Sequence, residues 1–190
     1  MEYSARFKIP YQESQSRLSI LFRLPLALPA IVVNGILVGI VFASHFLAGF
    51  SILFFDHYPQ RLFAFNLSCC RFVLRLSAYL FLLTDEYPSF SEAGGILIEV
   101  DYPDEDINLS RLLPLVKWLL VLPHSVILYL FYSLLFYLIT PICWVVMVFI
   151  GCYPQGIFDI VSGVLRWRPR AHVYGSMLTT DQYPPFSLDE

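Results

Sequence analysis

Charged positions are missing from two long blocks of the chain. Between Arg23 and Asp56 lie 32 residues without Asp, Glu, Lys or Arg, and between Lys117 and Asp159 lie 41. Both exceed the roughly 18 apolar residues that mark a candidate membrane helix. Neither reads as a cleavable signal, because the first 17 residues are polar and mixed. A 41-residue helix would run about 60 Å, twice the roughly 30 Å of a bilayer's hydrocarbon core. That length predicts a tight transmembrane helical hairpin in each block, turning near Asn34-Gly35 to Gly39 and near Thr140-Pro141. One long kinked or tilted helix per block is the alternative.

A segment with a different pattern follows each block. In Gln60 to Leu83, at about 100° per residue, Arg61, Ser68, Arg71 and Arg75 share one face while Phe63, Phe65, Phe72, Leu76 and Leu80 fill the rest. Gln155 to Leu178 brings Asp159, Arg166 and Arg170 together, with Pro169 expected to break or kink the helix near Arg168. Both segments predict amphipathic interfacial helices. A period-two run, Ile96 to Tyr102, reads as a strand, and Arg6 to Pro10 holds the same place before the first block. A two-stranded ribbon that sets Lys8 against Glu99 or Asp101 is expected. The acidic stretch Asp101 to Asp106 reads as a solvated linker.

These blocks are two copies of one unit. Tyr58-Pro59-Gln60 is followed by Phe63, Arg71, Arg75, Tyr79, Leu83-Thr84, Asp85, Tyr87-Pro88 and Phe90; Tyr153-Pro154-Gln155 is followed by Phe158, Arg166, Arg170, Tyr174, Leu178-Thr179, Asp181, Tyr183-Pro184 and Phe186. Arg17-Leu18 and Leu28-Pro29 precede the first set, Arg111-Leu112 and Leu122-Pro123 the second. The expected fold is an all-α integral membrane protein of two tandem repeats, residues 1–92 and 93–190, each a short strand, a membrane hairpin and an interfacial helix.

Composition agrees with that class: 57% of residues are hydrophobic, 17% aromatic and 14% charged, too few charges to cover a soluble globule. All twelve basic residues lie outside the apolar cores. Hairpins would put them on one side, which the positive-inside tendency makes cytoplasmic, with both termini there. A net charge of −3 argues against a nucleic acid partner.

The pattern ending in Leu83-Thr84-Asp85-Glu86-Tyr87-Pro88-Ser89-Phe90, with Tyr-Pro-Gln-Gly-x-Phe-Asp, Leu-Arg-Trp and Tyr-Pro-Pro-Phe in the second copy, resembles the bacterial membrane-protein family called domain of unknown function 4389. The first copy departs from it at Arg61, Ala64 and Phe72. The resemblance implies a bacterial integral membrane protein, and it brings no activity, cofactor or catalytic residue.

Candidate chemistry is sparse. There is no phosphate loop, nucleophile elbow or zinc-protease pair, and His45, His57, His124 and His172 are scattered singly. Catalysis and a cofactor are not expected. Cys69, Cys70, Cys143 and Cys152 lack metal spacing and read as small buried hydrophobes. Asn34 and His45, at hydrophobic depth, read as helix-to-helix contacts or, less simply, contacts to a solute. Arg71, Arg75 and Tyr79, and their counterparts Arg166, Arg170 and Tyr174, could present guanidinium and phenol groups to anionic lipid or a partner. They could equally pair with Asp85, Asp159 and Asp181. Tyr87-Pro88 and Tyr183-Pro184 are expected to end the interfacial helices with an aromatic anchor. The function expected is a non-enzymatic scaffold or accessory subunit of a membrane complex, with membrane lipid and a protein partner or second copy as its contacts. A small transporter or lipid-translocating protein using its repeats as moving halves is the alternative.

Overall fold

The structure is a computed structural model and describes residues 5–12, 15–55, 57–90, 95–102 and 113–188. Arg111-Leu112 and most of the acidic linker lie outside the described residues. Strand β1 is Ala5–Lys8; helices α1 (Arg17–Leu21), α2 (Arg23–Phe55) and α3 (Gln60–Leu80) complete the first repeat. Strand β2 (Leu97–Val100) opens the second, followed by α4 (Pro114–Leu120), α5 (Leu122–Leu134), a π-helical turn (Leu135–Ile139), α6 (Thr140–Ile150), α7 (Gln155–His172) and a second π-helical turn (Val173–Met177).

The expected hairpins do not form. Asn34, Gly35 and Gly39 sit within the unbroken 33-residue α2, and residues 122–150 form one apolar helix of 29. Two glycines cost a helix about 1 kcal/mol each, far less than an unpaired turn buried in apolar surroundings. Both helices are long and apolar enough to cross a membrane. At Thr140-Pro141 the helix widens instead of reversing: the π turn just before it absorbs one extra residue. Leu28-Pro29 to Tyr58 and Leu122-Pro123 to Tyr153 differ by that one residue. The second π turn absorbs the other length difference between the copies, between Tyr174 and Asp181. Inserted residues in a helix commonly appear in this form. Pro169 does not break α7, which runs on to His172.

Each apolar helix runs antiparallel to the amphipathic helix of its own repeat. Arg23 lies beside Thr84, Ala30 against Phe72 and Leu76, and Ser44 bonds Asn66. Helix α5 meets α7 in the same sense, through His124 and Trp167. The amphipathic helices form the middle of the molecule, with Phe63, Leu67, Leu74, Val161, Val164 and Leu165 in its main core. Most of each apolar helix points outward, and only 11% and 17% of their most apolar windows are buried.

The ribbon is antiparallel as expected, with a different register: Arg6 stands opposite Glu99, and Lys8 opposite Leu97. It lies along the central helices, where Arg71 Nε donates to the Ile98 carbonyl at 3.1 Å. The repeats clasp each other crosswise. Tyr11, after β1 in repeat one, donates to the Tyr153 carbonyl at 2.6 Å, and Tyr102, after β2 in repeat two, donates to the Tyr58 carbonyl. Their rings pack edge-on against Phe158 and Phe63. The start of each apolar block also meets the end of the other: Trp144 Nε1 donates to the Ile20 carbonyl at 2.9 Å, and α4 packs on α2. This is pseudo-twofold symmetry about an axis through the ribbon, with the two apolar helices antiparallel.

Candidate functional site

Each amphipathic helix ends on a leucine in the left-handed region, Leu82 (φ 65°) and Leu178 (φ 61°). A β-carbon there costs about 1 kcal/mol or more, so burial of both leucines has to hold the turn. The turn aims the following Thr-Asp pair back at a cation on the start of the apolar block. In repeat one the Arg23 guanidinium donates to the Thr84 carbonyl (2.6 Å), to Gln15 Oε1 (2.8 Å) and to Asp85 Oδ1 (2.9 Å), and lies 4.4 Å over the Tyr79 ring. In repeat two Lys117 Nζ donates to the Thr180 carbonyl (2.8 Å), pairs with Asp181 at 2.6 Å and faces the Tyr174 ring at 5.4 Å. Tyr87 and Tyr183 close the two cages edge-on against Tyr79 and Tyr174.

These cages bring in two cations outside the expected pairing. Asp85 pairs with Arg23 and Asp181 with Lys117, two cations that the arginine triplets do not include. Burial pulls the Lys117 ammonium below its usual range, opposed by Asp181. Among the described residues each cage satisfies its own charge, so the pair acts as a clamp between the start of the apolar block and the end of the amphipathic helix. Arg23 and Lys117 escaped the sequence reading although a signal existed: each stands six residues after an Arg-Leu start.

The arginine and tyrosine triplets are split. Tyr79 and Tyr174 belong to the cages. Arg71 holds β2, buried Arg75 donates to the Ser89 carbonyl at 3.0 Å, Arg166 reaches Ser162 Oγ at 3.5 Å, and Arg170 is buried. Tyr87-Pro88 and Tyr183-Pro184 lie beyond the helix ends instead of making them, with both prolines buried. Phe90 stacks on Phe72 and Phe186 on His124, folding each motif's end back onto its repeat. Pro59 and Pro154 cap α3 and α7 at φ near −60°, their ordinary value. Tyr58 and Tyr153 before them are buried; burial pushes the Tyr58 phenol up to about 12 and raises Tyr153 as well. Asp159 is exposed near the start of α7. The four cysteines are free, three of them buried. No group of three His, Cys, Asp or Glu able to hold a metal occurs among the described residues.

No curated protein and no solved structure matches the chain. The family model described as "Domain of unknown function (DUF4389)" matches residues 17–92 and again residues 113–187, and the chain belongs to that family, carrying its domain twice.

Proposed function

We propose that this protein is a non-enzymatic, membrane-embedded platform serving a membrane complex as scaffold or accessory subunit, in the bacterial cytoplasmic membrane with both termini cytoplasmic. The observation that carries this reading is the inverted distribution of surface. Large apolar side chains point outward, as at Phe46 (67% exposed), Phe55 (71%), Tyr137 (78%) and Phe149 (76%). The buried cations Arg23 and Lys117 are paired inside. Water would penalise such a surface at about 25 cal/mol per Å², whereas acyl chains would not.

The seat we propose is flat, in place of four crossings. Strand β2 and the two residues after it run beside α3, from Ile98 at Arg71 to Tyr102 at Tyr58 just before the helix, and α2 runs beside the same helix. If α2 stood across the bilayer, the charged open-edged ribbon would stand in hydrocarbon, where each unsatisfied backbone group costs several kcal/mol. A 33-residue helix of about 50 Å would also need a tilt beyond the 0–40° range of known spans. Lying in one leaflet, the apolar helices meet acyl chains while the ribbon meets water. The crosswise tyrosine bonds tie the halves together, which favours a fixed platform over a rocking transporter.

Extraction from native membranes into polymer nanodiscs, with mass spectrometry of what co-purifies, tests the reading. The expected result is a protein that resists alkaline carbonate and carries a stoichiometric protein partner. A lone monomer whose deletion leaves every membrane complex unchanged overturns it.

A further inference from the structure

A groove of about 940 Å³ runs between the second half of α2 and α4, walled by Phe42, Phe46, Phe50, Leu53, Trp118 and Leu178. At its inner end Phe42, His45 and Ser176 also line a cavity of about 290 Å³ that Arg168 and His172 enter from α7. Arg168 donates to Ser77 Oγ at 3.2 Å and lies 5.0 Å from the Tyr132 ring. Unlike Arg23 and Lys117, it has no carboxylate partner among the described residues. Two further polar atoms there, Asn34 Oδ1 and His45 Nε2, are buried without a hydrogen-bond partner. A guanidinium answered only by a hydroxyl and an aromatic ring, beside unsatisfied polar groups, is a position that a bound anion would stabilise.

The site breaks the molecule's symmetry. Arg168 stands where repeat one has Val73, and Gly49, on the groove wall, stands where repeat two has Trp144. In repeat two the Trp144 indole takes the place of Gly49 and bonds the Ile20 carbonyl, so the two halves differ at the groove wall as well as at Arg168.

We propose that this groove binds one long-chain fatty acid, its carboxylate on Arg168 and its acyl chain along the wall of α2. A guanidinium pairs two-fold with a planar carboxylate. His45 Nε2 and the Asn34 amide, whose oxygen and nitrogen can exchange places, add donors. One cation matches one negative charge, and the small inner cavity suits a carboxylate better than a glycerophosphate head. The inference rests on the membrane-embedded reading and can fail separately from it.

Native mass spectrometry of the detergent-purified full chain, titrated with oleate or with dioleoyl phosphatidylglycerol, tests it. Wild type should hold one oleate; Arg168→Gln should weaken it roughly tenfold or more, about 1.4 kcal/mol, while Arg168→Lys recovers part. Gly49→Trp should block the groove with Arg168 intact. Circular dichroism melting confirms that each variant is folded. Folded Arg168→Gln and Gly49→Trp proteins that both bind oleate as wild type does overturn the site, as does phosphatidylglycerol displacing oleate at equal concentration. A protein released from membranes by carbonate overturns the embedded reading instead.

Discussion

Removing the acid from the repeat-two cage should harm the protein more than removing the base. Asp181→Asn leaves the Lys117 ammonium, whose side chain is 0% exposed, with no counter-charge, facing only neutral groups: the amide oxygen, the Thr180 carbonyl and the Tyr174 ring. An uncompensated buried charge of this kind costs about 3–4 kcal/mol. Lys117→Met leaves a carboxylate whose side chain is 24% exposed, so water answers much of its charge. What remains is mainly the orphaned Thr180 carbonyl, about 1–2 kcal/mol. The double variant removes both charges and should cost less than the sum of the singles by about 1–3 kcal/mol. At 2–4 °C per kcal/mol for a chain of this size, Asp181→Asn should melt about 10 °C below wild type. Thermal unfolding in detergent, followed by circular dichroism, reads all three. If Asp181→Asn costs no more than Lys117→Met and the double variant equals their sum, the clamp is not an ion pair in the way argued.

Gly175→Ala would place a β-carbon 2.6 Å from Val121 Cγ1, so it should destabilise by about 1–3 kcal/mol, and Val121→Ala in the same chain should restore most of the melting temperature. Tyr11→Phe and Tyr102→Phe each lose one crosswise hydrogen bond and should each cost about 1 kcal/mol by the same melt. Burial, then His45 and Arg168, hold His172 down to about 3, whereas an unfolded histidine titrates near 6.5. Below about pH 6 the unfolded chain therefore binds a proton that the folded one does not, and stability should fall by up to about 1.4 kcal/mol per pH unit. His172→Gln should flatten melting temperature against pH between about 6 and 4 relative to wild type; parallel curves would contradict this.

The duplication, both amphipathic helices and the ribbon were legible because each has a local signature: recurring Tyr-Pro and Thr-Asp motifs, arginines at helical spacing, and period-two strands. Hairpin and straight helix were not separable by length alone, since apolar residues satisfy lipid in either arrangement; the partner that decides is α3, which packs on α2 on both sides of the expected turn, from Ala30 to Ser44. The triplets divide because residues four apart share a helix face but not a destination. Arg71 turns to the ribbon and Tyr79 to Arg23, and that choice depends on chain far away in sequence. Arg168 carried no repeat signal at all, since a residue without a counterpart is invisible to a comparison of the copies.

Sidedness of the ends of α7 tests the central claim most directly. Gln155, at its start, and Gln182, beyond its end, are both exposed and stand at opposite ends of the helix that α5 follows. Each is replaced singly by cysteine in a Cys152→Ser background, and intact cells and inside-out vesicles are labelled with a membrane-impermeant maleimide. A flat platform predicts that both positions react from the cytoplasmic side alone. Labelling of one from the cytoplasm and the other from outside would mean that the helices stand across the bilayer, and the account would be wrong.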